Sequence, residues 1–191
     1  MTLCKDKKEA QTNESLFSPH VKDTPDNLFF FTPDNLAKAQ EIITHYPKGR
    51  EASAVLALLD MAQRQIGGWL TSEALAYIAA FLKMPLISLY EIVRFYTLFT
   101  LKPCGQYVIQ VCTTVPCWLK GADETCQVFQ KDLGIFRGET TQDGMFTLKE
   151  VECLGACINA PVVHVNDKEY HNVTPERVPD LLMRLQQSQK E

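Results

Sequence analysis

Val111-Cys112-Thr113-Thr114-Val115-Pro116-Cys117 and, after 35 intervening residues, Cys153-Leu154-Gly155-Ala156-Cys157 decide how this chain is read. The first cysteine pair encloses four residues and the second three. Four thiolates carried on two short loops can hold a 2Fe–2S cluster, whose usual protein complement is four cysteines. A structural zinc also takes four thiolates, but its grips typically enclose about two residues. C-x4-C with C-x3-C suits a wider object, and a zinc-stabilised adaptor stays open as the rival from another functional class. A plant-type ferredoxin pattern would need a cysteine at position 120, where Lys120 stands. A thioredoxin dithiol would need C-x-x-C, which occurs nowhere.

Composition sets the frame around those loops. The chain has 191 residues, 46% of them hydrophobic, enough for a proper core without cysteine staples. Its formal charge of −4 argues against nucleic acid as a partner. Apolar runs such as Ala54–Leu59 and Tyr77–Leu82 fall far short of the ~18–20 residues of a membrane span. Residues 1–31 contain no apolar signal core. They lack Arg and carry Asp6, Glu9, Glu14, Asp23 and Asp26, unlike a mitochondrial transit peptide. The expected location is cytoplasmic, where thiols stay reduced and seven cysteines read as metal or redox ligands rather than disulfides.

Residues 1–31 read as a flexible tail, with Cys4 an incidental thiol and Phe29-Phe30-Phe31 expected to pack on the following helices or a partner. Thr32-Pro33 opens a helix ending near Tyr46. A second runs from about Glu51 to Ile66, with Val55, Leu58, Leu59, Ala62 and Ile66 on one face, and Gly67-Gly68 stops it. A third follows Thr71 to about Lys83, with Leu75, Ile78, Ala79 and Leu82 inward. Ser88 to Glu91 has the form of a capping box for a fourth, carrying Ile92, Phe95, Tyr96 and Phe99. Short connections make these a four-helix bundle over residues 32–101.

After Lys102-Pro103-Cys104-Gly105 the period changes. Strands are predicted over Tyr107–Val111, Phe146–Glu152, Pro161–Val165 and Glu169–His171, the last two joined by a turn at Asn166-Asp167. Helices are predicted over Trp118–Leu133 and from Thr174-Pro175 to Gln187, where Pro179 sets apart the first turn. The fold class is therefore α+β, with a small sheet domain over residues 102–191 and both cysteine pairs beyond strand ends. Thr113 and Thr114 can donate to sulfur, and Gly155 lets backbone approach a cluster. Cys126 reads as a core thiol, and His20, His45, His164 and His171 as packing or surface residues. No Gly-x-Gly-x-x-Gly or Walker pattern offers a nucleotide cradle.

Gln110–Cys117, Val151–Cys157 with Asn159-Ala160-Pro161, Leu58–Gln65 with Gly67–Leu70, and the stretch from Glu91 through Phe95-Tyr96 to Phe99 resemble the small 2Fe–2S subunits of respiratory complex I. These are the E-type or 24-kDa-type subunits of NADH-quinone oxidoreductase, and the details suit the mitochondrial and α-proteobacterial branch. The resemblance covers about Thr32 to Leu185. It implies a helical bundle followed by a thioredoxin-like 2Fe–2S ferredoxin domain, with Cys112, Cys117, Cys153 and Cys157 as metal and cluster ligands and no autonomous active site. It implies a partner flavoprotein subunit holding FMN and the NADH site, other peripheral-arm subunits of the complex, and a peripheral place at the cytoplasmic face of the inner membrane. In that family the cluster lies near the flavin but off the main wire to quinone. Subunits of NAD-linked hydrogenases and formate dehydrogenases share the pattern. Departures are small: Val115 stands where Thr is common, and Cys104 and Cys126 are additional thiols.

Overall fold

The structure is a computed structural model that describes residues 28–187. Four helices come first: α1 (Pro33–Thr44), α2 (Val55–Ile66), α3 (Ser72–Leu82) and α4 (Leu86–Phe95). Thr32 caps α1, its hydroxyl accepting from the Asn35 N–H, and Pro33 fills the first turn, where no N–H is missed. A short 3-10 turn over Glu51–Ala54 leads into α2. Gly67, at φ +102°, closes α2 in the left-handed conformation that a side chain disfavours. Thr71 caps α3 through the Ala74 N–H.

The inward faces predicted for α2 and α3 are buried except for half-buried Ile66, but α4 ends at Phe95 and turns Leu89 and Val93 inward, leaving the expected Phe95 and Tyr96 exposed. Leu58, Leu59, Leu75, Ile78, Leu82, Leu89 and Val93 share one core, which Phe31 and Phe99 close at its two chain ends. Of the three N-terminal phenylalanines, Phe31 is buried, Phe29 half-buried and Phe30 exposed, all three in edge-to-face contact with Tyr77. The fourth helix starts at Leu86, two residues before the capping-box pattern at Ser88. Pro85 supplies an extended residue at φ −61° and launches the helix with no side-chain cap.

Gln63 and Gln65 carry a role that periodicity does not reveal. Gln65 Oε1 accepts from the Thr32 N–H and the Asn35 amide, and its Nε2 donates to the Phe30 carbonyl. Gln63 accepts from the Thr100 N–H and donates to the Leu98 carbonyl, both at 3.0 Å. One turn of α2 therefore holds both the entering and the leaving chain.

The second half holds β1 (Tyr107–Cys112), α5 (Val115–Leu119), α6 (Ala122–Leu133), β2 (Phe146–Val151), β3 (Val163–Val165), β4 (Lys168–Tyr170) and α7 (Val178–Gln187). The sheet order is β2-β1-β3-β4, with β1 and β2 parallel and the other pairings antiparallel. The single helix expected over Trp118–Leu133 is two, because Gly121 turns left-handed at φ +85° between them. A separate 3-10 turn over Pro175–Arg177 precedes α7, the break that Pro179 predicts. The third strand begins at Val163 rather than Pro161, behind a cis Ala160–Pro161 bond.

One sheet face is apolar. Ile109, Val111, Phe146, Leu148, Val163 and Val165 pack with Cys126 and Phe129 of α6 and Val178, Leu181, Leu182 and Leu185 of α7. The opposite face carries Gln110, Lys149 and His164, which register side by side on β1, β2 and β3. With the C-terminal turn of α2 they line a cleft of about 650 Å³, bridged by Arg64 to Asp167 at 2.6 Å. Among the described residues no single helix is long and apolar enough to cross a membrane. Phe129 is fully buried where helix layer meets sheet. Phe129→Ala is expected to cost about 3–5 kcal/mol, read as a lowered urea midpoint with unchanged slope.

Candidate metal centre

The centre is built where two parallel strands end level. Cys112 is the last residue of β1 and registers with Val151, the last of β2. The Cys112 N–H donates to the Val162 carbonyl at 3.1 Å and the Thr113 N–H to Val151 at 3.3 Å, so the chain leaves the sheet at a fixed point. Thr114 precedes α5, and Cys117 stands one turn in, its side chain packed with Cys112, Ala122, Ala160 and Val162. Beyond β2, Gly155 turns the second loop at φ +88°, and Cys157 opens a 3-10 turn to Asn159. Leu154 and Ala156 of that loop pack on the first pair, closing the two loops together.

The four predicted cysteines are brought together and stand two by two. Cys112 and Cys117 are buried, whereas Cys153 and Cys157 are exposed with their sulfurs 3.4 Å apart. Burial works against ionisation of Cys112, but the Thr114 hydroxyl at 3.3 Å and the Thr114 and Leu154 N–H groups outweigh it and hold the thiol below its usual range. Its partner Cys117 is pushed up to about 11, first by burial and then by the neighbouring Cys112. The Gly155 N–H, 3.4 Å from sulfur, holds Cys153 down, while the bond shared with Cys153 holds Cys157 up. Each pair thus contains one thiol held below its usual range and one held above it, with repulsion between adjacent thiolates adding to the burial of Cys117. Charge on Cys112 is felt by all three other thiols. Among the described residues no three His, Cys, Asp or Glu side chains gather round a single ion.

The two threonines divide their tasks. Thr114 serves sulfur, reaching both Cys112 and Cys153, whereas the Thr113 hydroxyl turns away to Glu150 at 2.8 Å. Gly155 contributes its left-handed φ and its N–H; a Cβ there would meet nothing within 4 Å. Exposed Val115, Trp118, Leu119 and Ile158 belong to the elements that carry Cys117 and Cys157. Cys126 is buried on α6, as expected of a core thiol, and Cys104 is half-buried with its sulfur 3.6 Å from the Gly67 carbonyl. His45 is exposed, His171 pairs with Glu169, and the Nε2 of His164 is buried without a partner. Cys4 and His20 lie outside the described residues.

The sequence profile of the thioredoxin-like [2Fe–2S] ferredoxins matches residues 39–186. This chain belongs to that family. The cofactor of this ferredoxin is a 2Fe–2S cluster, and a donor set of four thiols in two charge-frustrated pairs fits it. The chain is 51% identical over 158 residues to the E-type subunit of NADH-quinone oxidoreductase from Rickettsia conorii, covering 83% of this chain and 95% of that one. It is 42% identical over 179 residues to the mitochondrial NADH dehydrogenase [ubiquinone] flavoprotein 2 of Dictyostelium discoideum, covering 92% and 72%. The backbone superimposes on a crystal structure of an NAD+-reducing [NiFe]-hydrogenase with a TM-score of 0.61 over 71% of this chain and 23% of that one. The two are 21% identical there, a likeness of fold.

Hydrogen bonds to cluster sulfurs stabilise the more negative reduced state. Thr114→Val removes one such donor and is expected to lower the midpoint potential in an EPR-monitored redox titration, with the cluster retained.

Proposed function

We propose that this chain is the electron-transfer subunit of an NADH-quinone oxidoreductase, respiratory complex I. The observation that carries the reading is the 51% identity to the Rickettsia protein across nearly that relative's whole length, joined to two cysteine pairs near enough to feel each other's charge. In this reading Cys112, Cys117, Cys153 and Cys157 ligate the cluster, two to each iron. The bound cluster supplies one-electron exchange, here with FMN on a partner flavoprotein subunit.

The chain's own residues do the rest. Cys112 and Cys117, packed on Ala122, Ala160 and Val162, keep water from one side of the site. Cys153 and Cys157 leave the other side open to the electron partner. Val115, Trp118, Leu119 and Ile158 form the apolar rim on which the flavoprotein docks, Ile158 being 94% exposed. Residues 32–101 act as a four-helix bundle and residues 102–191 as the cluster domain, a division supported by their separate apolar cores. Docked in this way, the chain works at the cytoplasmic face of the inner membrane alongside the other peripheral-arm subunits.

Anaerobic purification of the full chain, reconstituted with iron and sulfide, tests the reading. A red-brown protein with about two irons and two sulfides, EPR-active only after dithionite, is expected. A colourless product that holds zinc instead would overturn it. Cys153→Ala is expected to abolish or severely perturb the 2Fe–2S spectrum, and an unchanged spectrum would remove Cys153 from the ligand set.

A further inference from the structure

A chain of charged side chains reaches the first cysteine loop from the far side of the sheet edge. Glu150 registers with Val111 on β1. Its Oε1 accepts from the Thr113 hydroxyl at 2.8 Å and its Oε2 from Arg137 at 2.5 Å. Arg137, in the loop after α6, reaches back to Asp123 on that helix at 3.5 Å and lies against the buried Cys126 thiol. Helix α6, its following loop, β2 and the residue next to Cys112 are therefore tied at one point. The side chains of Arg137 and Glu150 are 35% and 39% exposed, so solvent screens the pair only in part.

We infer that Glu150 and Arg137 are positioning residues of the redox centre: Glu150 pins Thr113 and so the Cys112 loop, and Arg137 offsets the carboxylate's charge there. The inference rests on the ligand reading above. Reduction adds one negative charge to a cluster, so a nearby carboxylate opposes it and a nearby guanidinium favours it. A neutralised pair leaves the potential near that of a site with neither charge.

The test uses the full reconstituted chain and its midpoint potential, read by EPR. E150Q is expected to raise the potential and R137Q to lower it, with the double variant returning towards wild type and R137K staying close to it. In the cluster-free chain, amide exchange at Thr113 is expected to quicken in E150A, which removes the acceptor of the Thr113 hydroxyl. Unmoved potentials, or single variants that shift the same way, in chains with a normal 2Fe–2S spectrum would overturn the inference and leave the ligand reading standing. A wild-type chain that forms no 2Fe–2S cluster would overturn both. Should R137Q not fold, a raised potential in E150Q against an unmoved one in R137K supports the inference, and equal potentials overturn it.

Discussion

The parallel pairing of β1 with β2 governs the centre. Six residue pairs from Tyr107↔Phe146 to Cys112↔Val151 bring the strand ends level. Parallel strands need a crossover of at least about a dozen residues, because the chain must return to the same end of the sheet. The crossover from Thr113 to Met145, with α6 laid on the apolar sheet face, accounts for most of the separation between Cys117 and Cys153. The long gap between the cysteine motifs and the short gap between their thiols are thus one fact of topology. A one-residue slip of β2 would move Glu150 off Thr113 and turn Phe146 and Leu148 out of the core.

Where apolar periodicity carried the information, the chain was legible before folding. The buried stripes of α2 and α3, the strands at Tyr107 and Phe146, and the turn at Asn166-Asp167 follow from spacing and turn chemistry. What spacing could not show were the effects of single residues on backbone direction. Gly121 splits one helical pattern into two, and Pro85 starts α4 ahead of its apparent cap. The cysteines were legible as pairs, but the direction of Thr113 was not, since its partner Glu150 lies 37 residues away. A hydroxyl beside a cysteine satisfies whichever acceptor the tertiary fold presents.

Electrostatics explains why the two pairs differ in setting while sharing a chemistry. Donors are concentrated on one thiol of each pair: Thr114 and backbone N–H groups on Cys112, Gly155 on Cys153. The second thiol of each is held up, Cys117 first by burial and Cys157 first by the bond it shares with Cys153. In the proposed reading, iron held by these thiolates would remove that conflict, and cluster assembly and ordering of the loops would stabilise each other. Burial of only the first pair makes the site one-sided, with a packed floor and an open mouth.

The two glutamines of α2 have a topological consequence. Gln65 holds the backbone at Phe30 and Thr32, and Gln63 holds it at Leu98 and Thr100. The helical half therefore begins and finishes within a single helical turn, like a loop of rope tied off at one cleat. Strain arriving through either flank meets that knot before it reaches the shared core, so the helices can be carried as a closed cassette on the sheet that bears the redox centre.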